Sequence, residues 1–89
     1  MEISVIIPVY NEEGNLAPLF KRLCKSMDEI GRPWEVIFIN DGSRDASGTL
    51  LRDYQKERPD VVRIIDFNGN FGQHTAIIAG FERAKGDIV

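Results

Sequence analysis

Apolar residues run almost without interruption through Ile3-Ser4-Val5-Ile6-Ile7-Pro8-Val9, and most of them are β-branched. Such a run reads as a strand buried on both faces, because a half-exposed strand would alternate apolar and polar positions. Pro8 marks its predicted end. The spacing then changes to threes and fours, and Leu16, Leu19, Phe20, Leu23, Met27 and Ile30 fall on one face of an amphipathic helix. Asn15 is its predicted N-cap, Pro18 falls in the first turn where a missing N–H costs nothing, and Gly31 stops the helix ahead of Arg32-Pro33. A second strand is predicted from Trp34 to Ile39. A shorter helix follows from Ala46 to Glu57, capped by Asp45 or Ser43, with Leu50, Leu51 and Tyr54 inward and Pro59 closing it. Val61 to Phe67 reads as a third strand, Asn68-Gly69-Asn70-Phe71-Gly72 as a loop, and Ala76, Ile77, Gly80, Phe81 and Ala84 as a third helix. Gly80 inside that helix costs about 1 kcal/mol relative to Ala, which predicts close packing against another backbone. Lys85-Gly86-Asp87-Ile88-Val89 starts a further β-branched run.

The order is therefore β-α-β-α-β-α-(β). Right-handed crossovers make it an α/β fold, a Rossmann-like parallel sheet flanked by helices. Three loops share one edge, Pro8 to Glu13, Asn40 to Asp45 and Asp66 to Gln73, and each leads into a helix amino terminus. Ligands of open α/β sheets bind outside the carboxyl ends of the strands, so Glu12 and Asp41 are expected to face one shared site.

Residues 1–89 make at most one domain, and a chain of 89 residues is short for one. It is expected to be incomplete at the carboxyl end, since domains rarely stop two residues into a strand. Its composition, 43% hydrophobic and 28% charged, is that of a globular protein. The formal charge of -3, with eleven Lys and Arg scattered along the chain, argues against nucleic acid as a partner. Cys24 is the one cysteine; it allows no internal disulfide and no zinc site, and it is predicted to be a small core residue. A reducing, cytoplasmic setting fits, no leader pattern precedes the first strand, and no apolar run approaches the roughly 20 residues that cross a bilayer.

A carboxylate at Asp41 can accept a hydrogen bond from the imide N–H of uracil or from the N–H donors of guanine. The same Asp-Gly-Ser is a common turn, in which Asp41 or Ser43 caps the next helix. Glu12 can meet a ribose hydroxyl or a base donor, or simply favour a helix dipole. Tyr10 offers a flat face to a base, or packing surface. The Asn68-to-Gln73 loop matches neither the dinucleotide Gly-x-Gly-x-x-Gly pattern nor the phosphate loop, which disfavours nicotinamide and P-loop chemistry. His74 is placed to touch a phosphate or to cap a helix. No Ser/His/Asp arrangement is present, and the segment carries no predicted catalytic or metal-binding residue.

Together, Val5-Ile6-Ile7-Pro8-Val9-Tyr10-Asn11-Glu12-Glu13 and Ile37-Phe38-Ile39-Asn40-Asp41-Gly42-Ser43-Arg44-Asp45 resemble the first two signatures of family 2 glycosyltransferases, the inverting GT-A type. Many members have Asp where this chain has Asn40. Asn70 to Phe81, followed by Gly86-Asp87, resembles the branch that loads sugars onto polyprenyl phosphates, such as dolichol-phosphate mannosyltransferases and undecaprenyl-phosphate 4-deoxy-4-formamido-L-arabinose transferases. The resemblance runs the length of the chain and implies the amino-terminal half of a GT-A fold. It implies that Pro8, Tyr10, Glu12, Ile39 and Asp41 line a nucleotide pocket, with Asn70, Gly72 and Gln73 nearer the diphosphate.

By the same resemblance the donor is a nucleoside diphosphate sugar, UDP being expected over GDP, and the acceptor is a polyprenyl phosphate. The Mg²⁺ or Mn²⁺ of the intact enzyme is expected on an Asp-x-Asp motif beyond Val89, which leaves this segment inactive alone. The intact parent is expected at the cytoplasmic face of a membrane. Two other readings stay open: a family 2 enzyme acting on a polysaccharide or other sugar acceptor, and a non-catalytic α/β nucleotide-binding or regulatory module. A sheet order of 3-2-1 with a fourth strand beside the first would expose the edge of the Ile3-to-Val9 strand if that fourth strand were cut short, an opening for self-association.

Overall fold

Strand β1 (Ile3–Val9) and helix α1 (Glu13–Ile30) are followed by β2 (Trp34–Asn40), α2 (Ser47–Glu57), β3 (Val62–Asp66) and β4 (Asp87–Ile88). They are seen in a computed structural model that describes residues 3–67 and 87–88. The predicted third helix, the Asn68-to-Gly72 loop, His74 and Gly80 lie outside the described residues. The four strands form one parallel sheet in the order β3-β2-β1-β4. β1 and β2 pair along their whole length, from Ile3 beside Trp34 to Val9 beside Asn40. β3 joins β2 from Val36 beside Val62 to Asn40 beside Asp66, and β4 pairs with Ile3 and Ser4.

Every residue of β2 is buried, as a central strand with both faces covered requires. On the face turned to the helices, Val5, Val9, Val36, Phe38 and Val62 pack with Leu16, Phe20 and Met27 of α1 and Leu51 and Tyr54 of α2. Phe20 stacks on Tyr54 with ring centroids 4.3 Å apart and leans on Phe38 at 6.2 Å. Ile37 and Ile39 of β2 form a second cluster with Ile6, Ile65 and Phe67. The apolar run of β2 also carries a buried carboxylate, Glu35, which accepts a 2.7 Å hydrogen bond from the Ser4 hydroxyl and has Arg63 Nε at 4.0 Å.

Boundaries differ from the sequence reading where contacts are long-range. α1 begins at Glu13, three residues ahead of the predicted Leu16, and Asn15 lies inside it. Its early start is possible because the Glu12 and Glu13 N–H groups find acceptors more than thirty residues away, Ser47 at the start of α2 and Asp45 just ahead of it. Pro18 is consequently an interior residue, where it forgoes a hydrogen bond to Gly14 at a typical cost of about 3 kcal/mol. Leu19 and Ile30 sit on the edge of the apolar stripe and are exposed. Gly31 ends the helix in the left-handed conformation at φ 75°, as its position predicts. β1 is only half-buried from Ile6 to Pro8, Leu50 is half-buried, and Cys24 packs at the margin of the core rather than within it. Among the described residues no helix is long and apolar enough to cross a membrane.

Candidate functional site

Val9, Asn40 and Asp66 end their strands side by side, so the loops that follow β1 and β2 leave from one rim of the sheet. The ladder continues one step further, because Asp41 N–H donates to the Val9 carbonyl at 2.8 Å. Asn11 takes a left-handed conformation at φ 52° and Gly42 does so at φ 75°. Asparagine and glycine are the residues that tolerate it.

Those two turns are stitched to each other. Asn11 N–H donates to the Ser43 hydroxyl at 3.0 Å, and Arg44 N–H donates to Asn11 Oδ1 at 2.8 Å. Glu12 N–H donates to the Ser47 hydroxyl at 2.9 Å, and Glu13 N–H to Asp45 Oδ2 at 3.3 Å. Asp45 also accepts from Ser47 N–H at 2.9 Å. Hydrogen bonds from Ser47, first from its hydroxyl and then from its backbone, hold the Asp45 carboxyl below the ordinary carboxylate value. Because every bond crosses between the loops or closes one of them, the two behave as a single platform.

The platform brings Tyr10, Glu12 and Asp41 to the same rim. Tyr10 is 42% exposed, Glu12 is exposed with Oε2 held by Asn15 at 2.9 Å, and Asp41 is only 3% exposed. Asp41 makes a further interaction within the protein besides its backbone bond to Val9. Pro8 and Ile39 pair one rung below, Pro8 half-buried and Ile39 fully buried. Asn70, Gly72 and Gln73 lie outside the described residues. Sequence reasoning missed the bridging roles of Asn11 and Ser47. A left-handed turn is a natural place for asparagine, so Asn11 carried a signal, whereas a serine at a helix start carries none for a partner so distant.

The rim offers acceptors to N–H and O–H donors and an aromatic face. Among the described residues no group of three His, Cys, Asp or Glu could hold a metal ion. A separate groove of about 430 Å³ lies between α1 and α2 near the last turn of α2, away from the rim, lined by Phe20, Cys24, Tyr54 and Arg58 among others. Burial pushes the Cys24 thiol up, which makes it a poor nucleophile at neutral pH.

A parallel sheet with a stitched acidic rim at its carboxyl edge is an α/β architecture of the kind that takes ligands at that edge. The glycosyl transferase family 2 model matches residues 4–89, and the chain belongs to that family. It is 45% identical over 87 residues to the undecaprenyl-phosphate 4-deoxy-4-formamido-L-arabinose transferase of Pectobacterium carotovorum, covering 98% of this chain and 27% of the relative. The Aeromonas hydrophila protein of the same name is 47% identical over 87 residues, again with 98% of this chain and 27% of the relative covered. The chain thus spans about a quarter of the length of these relatives. Among solved structures, S. aureus TarS 1-349 in complex with UDP-GlcNAc aligns with a TM-score of 0.82 at 23% identity, over 100% of this chain and 25% of that one. The mannosyltransferase PcManGT from Pyrobaculum calidifontis, in complex with GDP-Man and Mn²⁺, aligns with a TM-score of 0.73 at 22% identity, over 94% of this chain and 24% of that one. These likenesses establish the glycosyltransferase GT-A fold.

Proposed function

We propose that this chain is the nucleotide-sugar-binding portion of a glycosyltransferase that moves a sugar from a nucleoside diphosphate donor to a polyprenyl phosphate lipid, with inversion. The observation that carries the reading is the joint placement of Tyr10, Glu12 and Asp41 on one hydrogen-bonded rim of a family 2 chain. Asp41 accepts from the base, Glu12 from the ribose, and Tyr10 covers the base, with Pro8 and Ile39 as the floor beneath them. Asn70, Gly72 and Gln73 serve the diphosphate. UDP is the expected nucleotide, in keeping with the UDP-GlcNAc held by TarS, whereas PcManGT holds GDP-Man.

The names of the relatives support undecaprenyl phosphate as the acceptor. A phosphate acceptor is already anionic near neutral pH, so its oxygen attacks the anomeric carbon without needing a strong general base, while the bond from that carbon to the diphosphate oxygen breaks and the nucleoside diphosphate leaves. Positioning the two substrates in line then supplies a large part of the rate. The Mg²⁺ or Mn²⁺ of the intact enzyme is assigned to ligands outside this segment, and the 89-residue chain alone is expected to be inactive. The intact protein works at the cytoplasmic face of the membrane.

A transfer assay with the full-length protein, radiolabelled UDP-sugars and undecaprenyl phosphate tests this. Label is expected in the organic-extractable lipid, and none is expected from the 89-residue chain. Label that enters a polysaccharide acceptor while lipid phosphate stays unlabelled would overturn the acceptor assignment.

A further inference from the structure

Asn40 does two jobs at once, one as a donor and one as an acceptor, which its amide combines. Its Nδ2 donates to Asp66 Oδ1 at 3.1 Å, and its Oδ1 accepts from Ser43 N–H at 3.1 Å. A carboxylate can only accept and a backbone N–H can only donate, so these partners fix which way the amide faces. Asn40 is 8% exposed, and a Cβ placed on Gly48 would lie 3.0 Å from Nδ2, so helix α2 closes over it. The backbone repeats the link, since Phe67 N–H donates to the Asn40 carbonyl at 2.9 Å. Asp66 Oδ2 in turn has the Arg52 guanidinium at 3.6 Å.

The consequence is a continuous chain of hydrogen bonds across the ends of three strands. It runs from Asp66 on β3 through Asn40 on β2 to Ser43, and from the Ser43 hydroxyl to Asn11 N–H beyond β1. Asp41 lies inside the turn that Asn40 and Ser43 close, with its own N–H fixed to Val9. We propose that Asn40 and Asp66 are a positioning pair for the donor nucleotide: they touch no ligand and hold the Asp41 turn in its binding conformation. This inference rests on the assignment of the rim as the nucleotide site.

An exchange of the two side chains tests it. Asn40→Asp keeps an acceptor for Ser43 but sets two carboxylates against each other, with the exposed Arg52 offsetting part of the repulsion. Adding Asp66→Asn restores one amide and one carboxylate with the polarity reversed: Asn at 66 donates, Asp at 40 accepts from both sides, and the net charge beside Arg52 returns to that of the wild type. UDP affinity is measured by calorimetry on the full-length protein, well below the melting temperature of each variant, alongside thermal unfolding. N40D is expected to weaken UDP binding about tenfold. The double variant N40D/D66N is expected to return to within about threefold of wild type.

UDP binding by N40D equal to wild type, even with a lowered melting temperature, overturns the positioning role, because a merely structural pair would move stability alone. A double variant that binds no better than N40D overturns it as well. Should N40D not fold, the double variant decides alone: wild-type-like folding and affinity support the pair, and their loss refutes it. Failure of the wild-type protein to bind UDP or GDP is a different result, which overturns the nucleotide site itself and the pair's role with it.

Discussion

Ser47 is fully buried, and its hydroxyl accepts the Glu12 N–H at 2.9 Å, tying the residue that caps α1 to the first residue of α2. Ser47→Ala removes that acceptor and strands a partly buried amide, and it also removes the hydroxyl's bond to the solvent-accessible Asp45 carboxylate, which water replaces. An orphaned buried donor costs roughly 1–3 kcal/mol, and the partial exposure of Glu12 N–H keeps this case near the lower half of that range. Alanine returns roughly 0.5 kcal/mol through its better helix propensity, so the net loss is about 1 kcal/mol. For a unit of this size that lowers the melting temperature by roughly 4–8 °C. The control is Ser43→Ala, whose lost bond from Asn11 N–H is exposed and refills with water, at about 0.5 kcal/mol or less. Thermal unfolding monitored by circular dichroism gives the ranking, and amide hydrogen exchange read at Glu12 gives the cause. A Ser47→Ala protein that melts with wild type and keeps Glu12 protected would refute the claim that the two loops are joined through this hydroxyl.

Arg58 donates to Asp28 at 3.1 Å and to Asp60 at 3.2 Å while lying 5.8 Å above the Trp34 ring, and its hydrogen bonds hold both carboxyls below their ordinary values. Since those folded values lie below the unfolded one of about 3.9, the stabilisation is present above that pH and is lost as pH falls through the folded values. Urea titrations should therefore show a stability gap between wild type and Arg58→Met at pH 7 that narrows near pH 3; a gap independent of pH would contradict this. The Tyr54 hydroxyl is buried with no hydrogen-bond partner among the described residues, so Tyr54→Phe should raise the urea midpoint by an amount equivalent to about 1 kcal/mol, and a loss of similar size would show that the hydroxyl is bonded. Gly14 has open space where a Cβ would go, whereas Gly48 has Asn40 Nδ2 at 3.0 Å. Gly14→Ala should stabilise by about 0.5 kcal/mol in thermal melts, while Gly48→Ala should destabilise because the Asn40 amide is held from both sides and cannot give way.

The central strands and the topology were legible because their signals are local. The apolar, largely β-branched run from Val36 to Ile39 reads as a strand covered on both faces, and Gly31 is where a left-handed stop is cheapest. Leu16, Phe20 and Met27 read correctly as the inward stripe, but Leu19 and Ile30 did not, since spacing alone does not show how wide a stripe the sheet will cover. The start of α1 was misplaced for a non-local reason: its first amides are satisfied by Asp45 and Ser47, and nothing near Glu13 announces those partners. The same limit hid Asn40. In the sequence it is one polar residue in a turn, and its pairing with Asp66 appears only when β3 lies beside β2. Glu35 is a related case, a charge inside an apolar run whose burial is accounted for by Ser4 across the ladder.

Calorimetric titration of UDP into the full-length protein in the presence of Mn²⁺, compared with Asp41→Asn, tests the nucleotide site most directly. The substitution keeps size and removes the charged acceptor, so UDP should bind the wild type and bind the variant at least about tenfold more weakly. Equal affinity in the two proteins, or no UDP binding by the wild type, would contradict the assignment of this rim to the donor nucleotide.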